Sequence, residues 1–141
     1  MPVFVDSNVL VYARDAGEAI KQPQALAWLE HLWRTRSGRL SFQVLQEFYV
    51  TVTKKFDPGL TPADAREEVR SFLAWRPLAV DDEMLEAAWA LQDHHSLSFW
   101  DALILGAAQA SGCQRVLSED FSDGEIYGGV EVVNPFTQRP G

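Results

Sequence analysis

Short apolar runs alternate with longer amphipathic stretches along this chain. That alternation predicts an α/β domain built on a parallel sheet. Val3 to Asp6 is the first expected strand, and Ser7-Asn8 is positioned to cap a short helix through Leu10, Val11 and Tyr12. Pro23 to Arg36 carries Leu26, Leu29, Leu32 and Trp33 at helical spacing. Leu40 to Phe42 is a short strand, and Val44 to Lys55 is a helix with Val44, Phe48 and Val52 four residues apart. Phe56 to Leu60, with Pro58-Gly59, is a turn. Thr61-Pro62-Ala63-Asp64 opens a helix running to about Trp75, with proline at its first position. Pro77 to Val80 is a strand, and Asp81 to His95 a helix with Met84, Leu85, Ala88 and Leu91 on one face. Ser98 caps a helix from Phe99 to Ser111, which Gly112 stops. Arg115 to Ser118 and Val130 to Val133 complete the strands.

The 141 residues fit one domain, spanning 1–141, with no repeat and no low-complexity linker. A chain of this length buries roughly 68% of its unfolded surface and needs no staple. The single cysteine, Cys113, has no disulfide partner and no zinc spacing around it, which favours a reducing compartment. The start Met1-Pro2-Val3-Phe4-Val5-Asp6 lacks a basic leader, and no run reaches the length of a membrane span, so cytoplasm is the expected location. The formal net charge of −8 argues against a general nucleic-acid binder, which usually carries a basic face. It does not exclude a nuclease whose carboxylates hold cations, and it suits a basic protein partner.

The polar positions that carry chemistry are acidic. Asp6 ends the run Val3-Phe4-Val5, and Asp120 follows Val116-Leu117. Glu47 and Asp101 lie near the starts of expected helices. In an α/β fold, strand carboxyl ends and helix amino ends share one rim, where ligands bind. Two carboxylates at 4 Å repel by about 4 kcal/mol at an effective dielectric of 20. Four on one rim need protons, cations or a metal. Oxygen ligands suit Mg²⁺, with Mn²⁺ as the second choice.

Each acid also has a plainer reading. Asp6 is placed to cap the next helix, and Glu47 to be a surface glutamate. Ser98-Phe99-Trp100-Asp101 resembles a capping box, although glutamate or glutamine is the usual third residue. Among Glu119, Asp120 and Asp123, successive residues point apart, and Asp123 precedes glycine as turn residues do. Asp120 therefore ranks first and Asp123 second, with Ser118 and Asn8 as further polar candidates at the site. Asp81, Asp82, Glu83, Glu67 and Glu68 read as helix-end or solvated charges. His31, His94 and His95 make no metal pattern, and there is no glycine-rich phosphate loop, dinucleotide fingerprint or nucleophile elbow. The five tryptophans read as core or interface.

In order along the chain, Phe4-Val5-Asp6-Ser7-Asn8-Val9-Leu10, Gln46-Glu47-Phe48-Tyr49, Ser98-Phe99-Trp100-Asp101-Ala102-Leu103-Ile104 and Leu117-Ser118-Glu119-Asp120-Phe121 resemble the acidic motifs of PIN-domain nucleases. The closing Val130 to Phe136 resembles the family's end, and within the family the likeness is to VapC toxins. The resemblance implies a three-layer α/β/α fold with a five-stranded parallel sheet. It implies a Mg²⁺- or Mn²⁺-dependent endoribonuclease, commonly homodimeric and inhibited by a cognate antitoxin. Asp6, Glu47, Asp101 and Asp120 would be its acidic cluster, with Asp6, Asp101 and Asp120 on the metal. Arg14, Lys54 and Lys55 are the expected contacts for RNA phosphates. A basic antitoxin helix is expected between the segments Pro23 to Arg36 and Val44 to Lys55, with an arginine reaching the carboxylates. The alternatives are an RNA-processing nuclease without an antitoxin, an interaction protein with a degenerate site, and a phosphotransfer domain. The last is disfavoured because Asp6-Ser7-Asn8 lacks a second aspartate.

Overall fold

A computed structural model describes residues 1–56 and 59–141. Five strands form one sheet in the order β2-β1-β3-β5-β4. They are β1 (Val3–Val5), β2 (Gly38–Arg39), β3 (Arg115–Leu117), β4 (Ile126–Tyr127) and β5 (Val130–Val133). The helices are α1 (Ser7–Ala13), α2 (Lys21–Thr35), α3 (Phe42–Lys54), α4 (Pro62–Phe72), α5 (Asp82–His94) and α6 (Phe99–Ala110), with a 3₁₀ turn over Leu73–Trp75. Among the described residues, no helix is long and apolar enough to cross a membrane.

β1 and β3 are the central pair, and both are apolar throughout their buried positions. Phe4, Val5, Val116 and Leu117 are fully buried, as expected for strands covered on both faces. The chain leaves β1 toward β2 on one side, while β3 pairs with β1 on the other. The carboxyl ends of β1 and β3 thus flank a topological switch point, where the rim opens into a crevice. α6 supplies the most apolar helix, buried from Ala102 to Ala108. It packs on α5, β3 and β5.

The sheet is not wholly parallel. β4 runs antiparallel to β5 and replaces the strand expected over Pro77 to Val80. There, only Leu78 reaches Ser41, as an isolated bridge. Pro77 has no N–H to give to a ladder. β4 and β5 are joined by Gly128-Gly129 at φ 54° and 85°. Paired positive φ angles make the tight hairpin turn that glycine favours. The dipeptide is visible in the sequence, and reading the segment for hairpins would have found β4.

Boundaries shift elsewhere. Leu40 to Phe42 is not a strand: β2 ends at Arg39, and Ser41 caps α3 by accepting from the Val44 N–H at 3.4 Å. Asp6, rather than Ser7 or Asn8, caps α1. α2 begins at Lys21, two residues before the expected Pro23. The turn assigned to Phe56 to Leu60 includes residues 57 and 58, which lie outside the described residues. Thr61 and Ser98 cap α4 and α6 as expected, while Asp81, expected as the first residue of its helix, is instead the cap of α5.

Gly38 shows how tightly one corner is built. A Cβ there would lie 2.5 Å from the Trp75 ring. That ring is held between Phe72 and Trp33, with centroids at 4.9 and 5.1 Å. Gly38→Ala is expected to lower stability by about 1–3 kcal/mol through overpacking. Thermal unfolding would measure it, and an unchanged melting temperature would contradict this packing.

Candidate functional site

Asp6 follows β1 directly and is buried at 4% exposure. Its backbone N–H bonds to the Leu117 carbonyl at 3.0 Å, pinning it against the end of β3. Its carboxylate accepts from the Ser7 N–H at 2.7 Å and the Ser118 hydroxyl at 2.7 Å. Burial dominates its titration and pushes the pKa up to about 7, against the lowering effect of those two hydrogen bonds. Asp120 and Glu47 raise it further by their charge. Asp6 therefore caps α1 with one carboxylate oxygen while the other accepts from Ser118.

Asn8, on the first turn of α1, ties the strand ends together. Its Nδ2 donates to Asp120 at 3.1 Å and to Ser118 Oγ at 3.1 Å, with a longer 3.4 Å contact to Asp6. Its Oδ1 is buried with no hydrogen-bond partner. Ser118 is fully buried and also accepts from the Asp120 N–H at 3.1 Å. Ser118 and Asn8 thus join Asp6 and Asp120 in one polar cluster at the carboxyl ends of β1 and β3.

Glu47 and Asp101 come to the same rim from α3 and α6. Glu47 is exposed at its edge, yet its surroundings desolvate the carboxyl enough to raise its pKa, with Asp101 and Asp120 adding repulsion. Desolvation also raises Asp101, Ser98 opposes it, and Asp120 adds to it. The Asp101 N–H donates to Ser98 Oγ at 3.1 Å, as a helix cap requires. The charge of Asp120 thus reaches Asp6, Glu47 and Asp101 alike. Even so, among the described residues no three acidic, histidine or cysteine side chains stand close enough to hold an ion as arranged. The Asn8 amide supplies the positive edge between Asp6 and Asp120.

The donor chemistry fits an oxygen-seeking dication. The rim offers carboxylates, a hydroxyl and a carboxamide oxygen with no partner, and neither sulfur nor imidazole. A buried carboxylate whose pKa is raised mainly by desolvation, with neighbouring carboxylates adding to it, is also one that a cation would return to its charged form.

Other expected residues lie elsewhere. Asp123 points away from this cluster. It accepts from the Asn134 N–H at 2.9 Å and from Thr137 Oγ1 at 3.3 Å, tying down the carboxyl-terminal segment. Glu119 turns from Asp120 and accepts from Tyr12 at 2.6 Å and Lys21 at 2.8 Å. Lys21, which also lies over the Tyr12 ring, was missed by sequence reasoning. Ninety-eight residues separate it from Glu119, and no local pattern links them. Arg14 is paired with Glu68. Lys54 and Lys55 end α3, are exposed, and have no acidic partner among the described residues. Cys113 is buried with its thiol pushed up to about 12, so it is not a nucleophile near neutral pH.

The PIN domain family matches residues 3–122, a span that carries all four acids. This chain belongs to the PIN domain family. No curated protein shows a significant sequence match. Among solved structures, the PIN domain is similar to a toxin–antitoxin complex from Klebsiella pneumoniae, with TM-score 0.66, 18% identity, and coverage of 96% of this chain and 98% of that one. It is similar to Mycobacterium tuberculosis VapC20, a sarcin-ricin loop cleaving toxin, with TM-score 0.62, 24% identity, and coverage of 84% and 91%. It is also similar to VapBC2 from Rickettsia felis bound to a promoter DNA fragment, with TM-score 0.61, 15% identity, and coverage of 94% and 97%. At these identities the likeness is one of fold.

α1 packs against both α2 and α3, the pair of helices between which the antitoxin helix was expected. Two apolar grooves flank α4. One, of about 370 Å³, runs along α3 past Phe42, Leu45, Tyr49 and Val69. The other, of about 390 Å³, runs along α2 past Leu26, Leu29, Trp33 and Phe72. Of the tryptophans, Trp28 and Trp75 are buried, while Trp33, Trp89 and Trp100 expose 39%, 47% and 63%.

Proposed function

We propose that this PIN domain is a metal-dependent endoribonuclease and the toxin of a type II toxin–antitoxin system. The observation that carries the reading is the buried Asp6 at the β1/β3 switch point, with Asp120, Glu47 and Asp101 converging on the same rim. Asp6, Asp101 and Asp120 would hold Mg²⁺ or Mn²⁺, with Glu47 at the edge. When bound, the ion supplies Lewis acidity toward the scissile phosphate and a more acidic water. Ser118 and Asn8 orient Asp6 and Asp120 through the hydrogen bonds described above. Glu47, being exposed and raised in pKa, is placed to take a proton from the attacking water. Asp123 stays in this reading only as an alternative ligand that would have to leave its contact with Asn134.

The toxin role draws support from the solved structures of similar fold, two of which contain toxin–antitoxin assemblies. The net charge of −8 and the apolar grooves beside α4 suit a basic amphipathic antitoxin helix. A homodimer acting in the cytoplasm belongs to the same reading, and the exposed Trp89 and Trp100 provide apolar surface for pairing. Expression of the chain alone should arrest growth and leave mapped RNA ends, and co-expression of the neighbouring small gene should restore growth. Arrest without rescue would favour an RNA-processing nuclease, and purified protein that leaves RNA intact in Mg²⁺ or Mn²⁺ would reject the reading.

Lys54 and Lys55 are the better phosphate contacts, since Arg14 is already engaged by Glu68. Neutralising each true contact should flatten the salt dependence of RNA binding by about 0.7 in log–log slope. Filter binding across a salt series would measure it. An unchanged slope in the Lys54→Gln/Lys55→Gln variant would remove both from the substrate path.

A further inference from the structure

The opposite end of β1 carries a cavity of about 480 Å³, in the size range of small-ligand sites. It is lined by Trp33, Arg36, Gly38, Arg39, Trp75 and Arg76, and by none of the four rim acids. Val3, the first residue of β1, is paired with Gly38, so the cavity lies about 10 Å down the strand from Asp6. Three arginines gather here in a chain of net charge −8. Among the described residues, none of the three has an acidic partner.

Two further observations separate this cavity from an ordinary basic patch. Arg36 and Arg76 are the only non-glycine residues at positive φ among those described, at 55° and 53°. Both end helical turns, where glycine or asparagine is the usual choice. Arginine there carries a backbone cost that glycine would avoid, so the guanidinium is what distinguishes the residue. The second is the aromatic wall. Trp75 lies directly over Gly38, and Trp33 leans on it at 5.1 Å and 52° while leaving 39% of itself exposed. Arg39 is held in place by donating to the Gly38 carbonyl at 2.8 Å.

Guanidinium groups grip phosphate, and indole faces stack on planar bases. The geometry points to a nucleotide-binding site in this cavity, with Arg36 and Arg76 on the phosphate and Trp33 against the base. The plainer role for these arginines is to complement the helix carboxyl ends. Glycine suits the left-handed backbone at both positions and keeps the fold, so a loss of ligand binding in the glycine variants reports the guanidinium groups and not the helix ends.

The test is calorimetric titration in EDTA of the wild type and of Asp101→Asn, which disables the acidic rim and makes the result independent of the nuclease proposal. Adenosine 5′-monophosphate should bind saturably at one per chain. Adenosine and inorganic phosphate should each bind at least about tenfold more weakly, the loss of one charge-assisted contact. An RNA hexanucleotide binding tighter than the monophosphate identifies a strand as the source, and the reverse order identifies a free nucleotide. Arg36→Gly/Arg76→Gly should lose at least about tenfold in affinity without a lower melting temperature. Trp33→Ala removes a neighbour of Trp75, whereas Trp33→Phe keeps an aromatic face there. The alanine variant should erase the preference for the monophosphate over inorganic phosphate, and the phenylalanine variant should retain most of it. The proposal is overturned if the wild type binds neither nucleotide nor RNA, if the arginine variant and Trp33→Ala both bind as the wild type does, or if only an acidic peptide binds.

Discussion

Asp101→Asn should cut RNA cleavage by more than about 100-fold while the protein stays folded. Loss of a group that only supports a metal ligand typically costs about 10–100-fold, so removing a ligand carboxylate should exceed that. Asparagine keeps the shape of Asp101 and leaves its N–H bond to Ser98 in place, so helix α6 keeps its cap. What is lost is the charge that holds a dication against the phosphate. Asp6→Asn should behave in the same way. EDTA should abolish wild-type cleavage, and excess Mg²⁺ or Mn²⁺ should restore it. Asp82→Asn, an exposed residue in the first turn of α5, is the control and should retain full activity. The assay is initial cleavage rate, with circular dichroism as the check on folding. Cleavage that survives in EDTA, or in Asp101→Asn at near wild-type rate, ends the metal-dependent reading.

Stability should fall as pH rises from about 4 to about 7 when no metal is present. The unfolded chain releases the Asp6 proton near 3.9, while the folded protein holds it to about 7. Between those values the native state binds more protons, so a higher pH favours unfolding. The full span corresponds to about 4 kcal/mol, and roughly half of it lies between pH 8 and pH 5.5. Acidification over that interval in EDTA should therefore raise the melting temperature by several degrees, at about 2–4 °C per kcal/mol. Glu47 and Asp101 are shifted in the same direction and reinforce the trend. Magnesium should stabilise the protein more at pH 8 than at pH 5.5, where a protonated Asp6 competes with the ion. Asp6→Asn should flatten both dependences, which separates this carboxyl from the general repulsion of a chain at −8. A wild type as stable at pH 8 as at pH 5.5 would mean that Asp6 is solvated or paired in solution.

Much of this protein was legible along the chain. The apolar runs ending in Asp6 and preceding Asp120 marked β1 and β3, because a strand buried on both faces must be apolar throughout. Helix caps at Thr61 and Ser98 were readable because capping is a local hydrogen bond between neighbours in sequence. The four acids could be placed on one rim from strand and helix polarity alone. Tertiary structure decided what local pattern cannot encode. Strand partners are long-range, so Pro77 to Val80 looked like a strand but found only a bridge, while the short segment Ile126–Tyr127 became one by folding back on β5. The Asn8 amide bridging Asp6, Ser118 and Asp120 depends on residues more than a hundred positions apart. The same is true of the arginine cavity at the far end of β1, where Gly38 and Trp75 meet only because the edge strand and the turn after α4 pack together. Burial then set the chemistry: the sequence supplied a carboxyl at position 6, and only its enclosure between two strand ends moved its pKa to about 7.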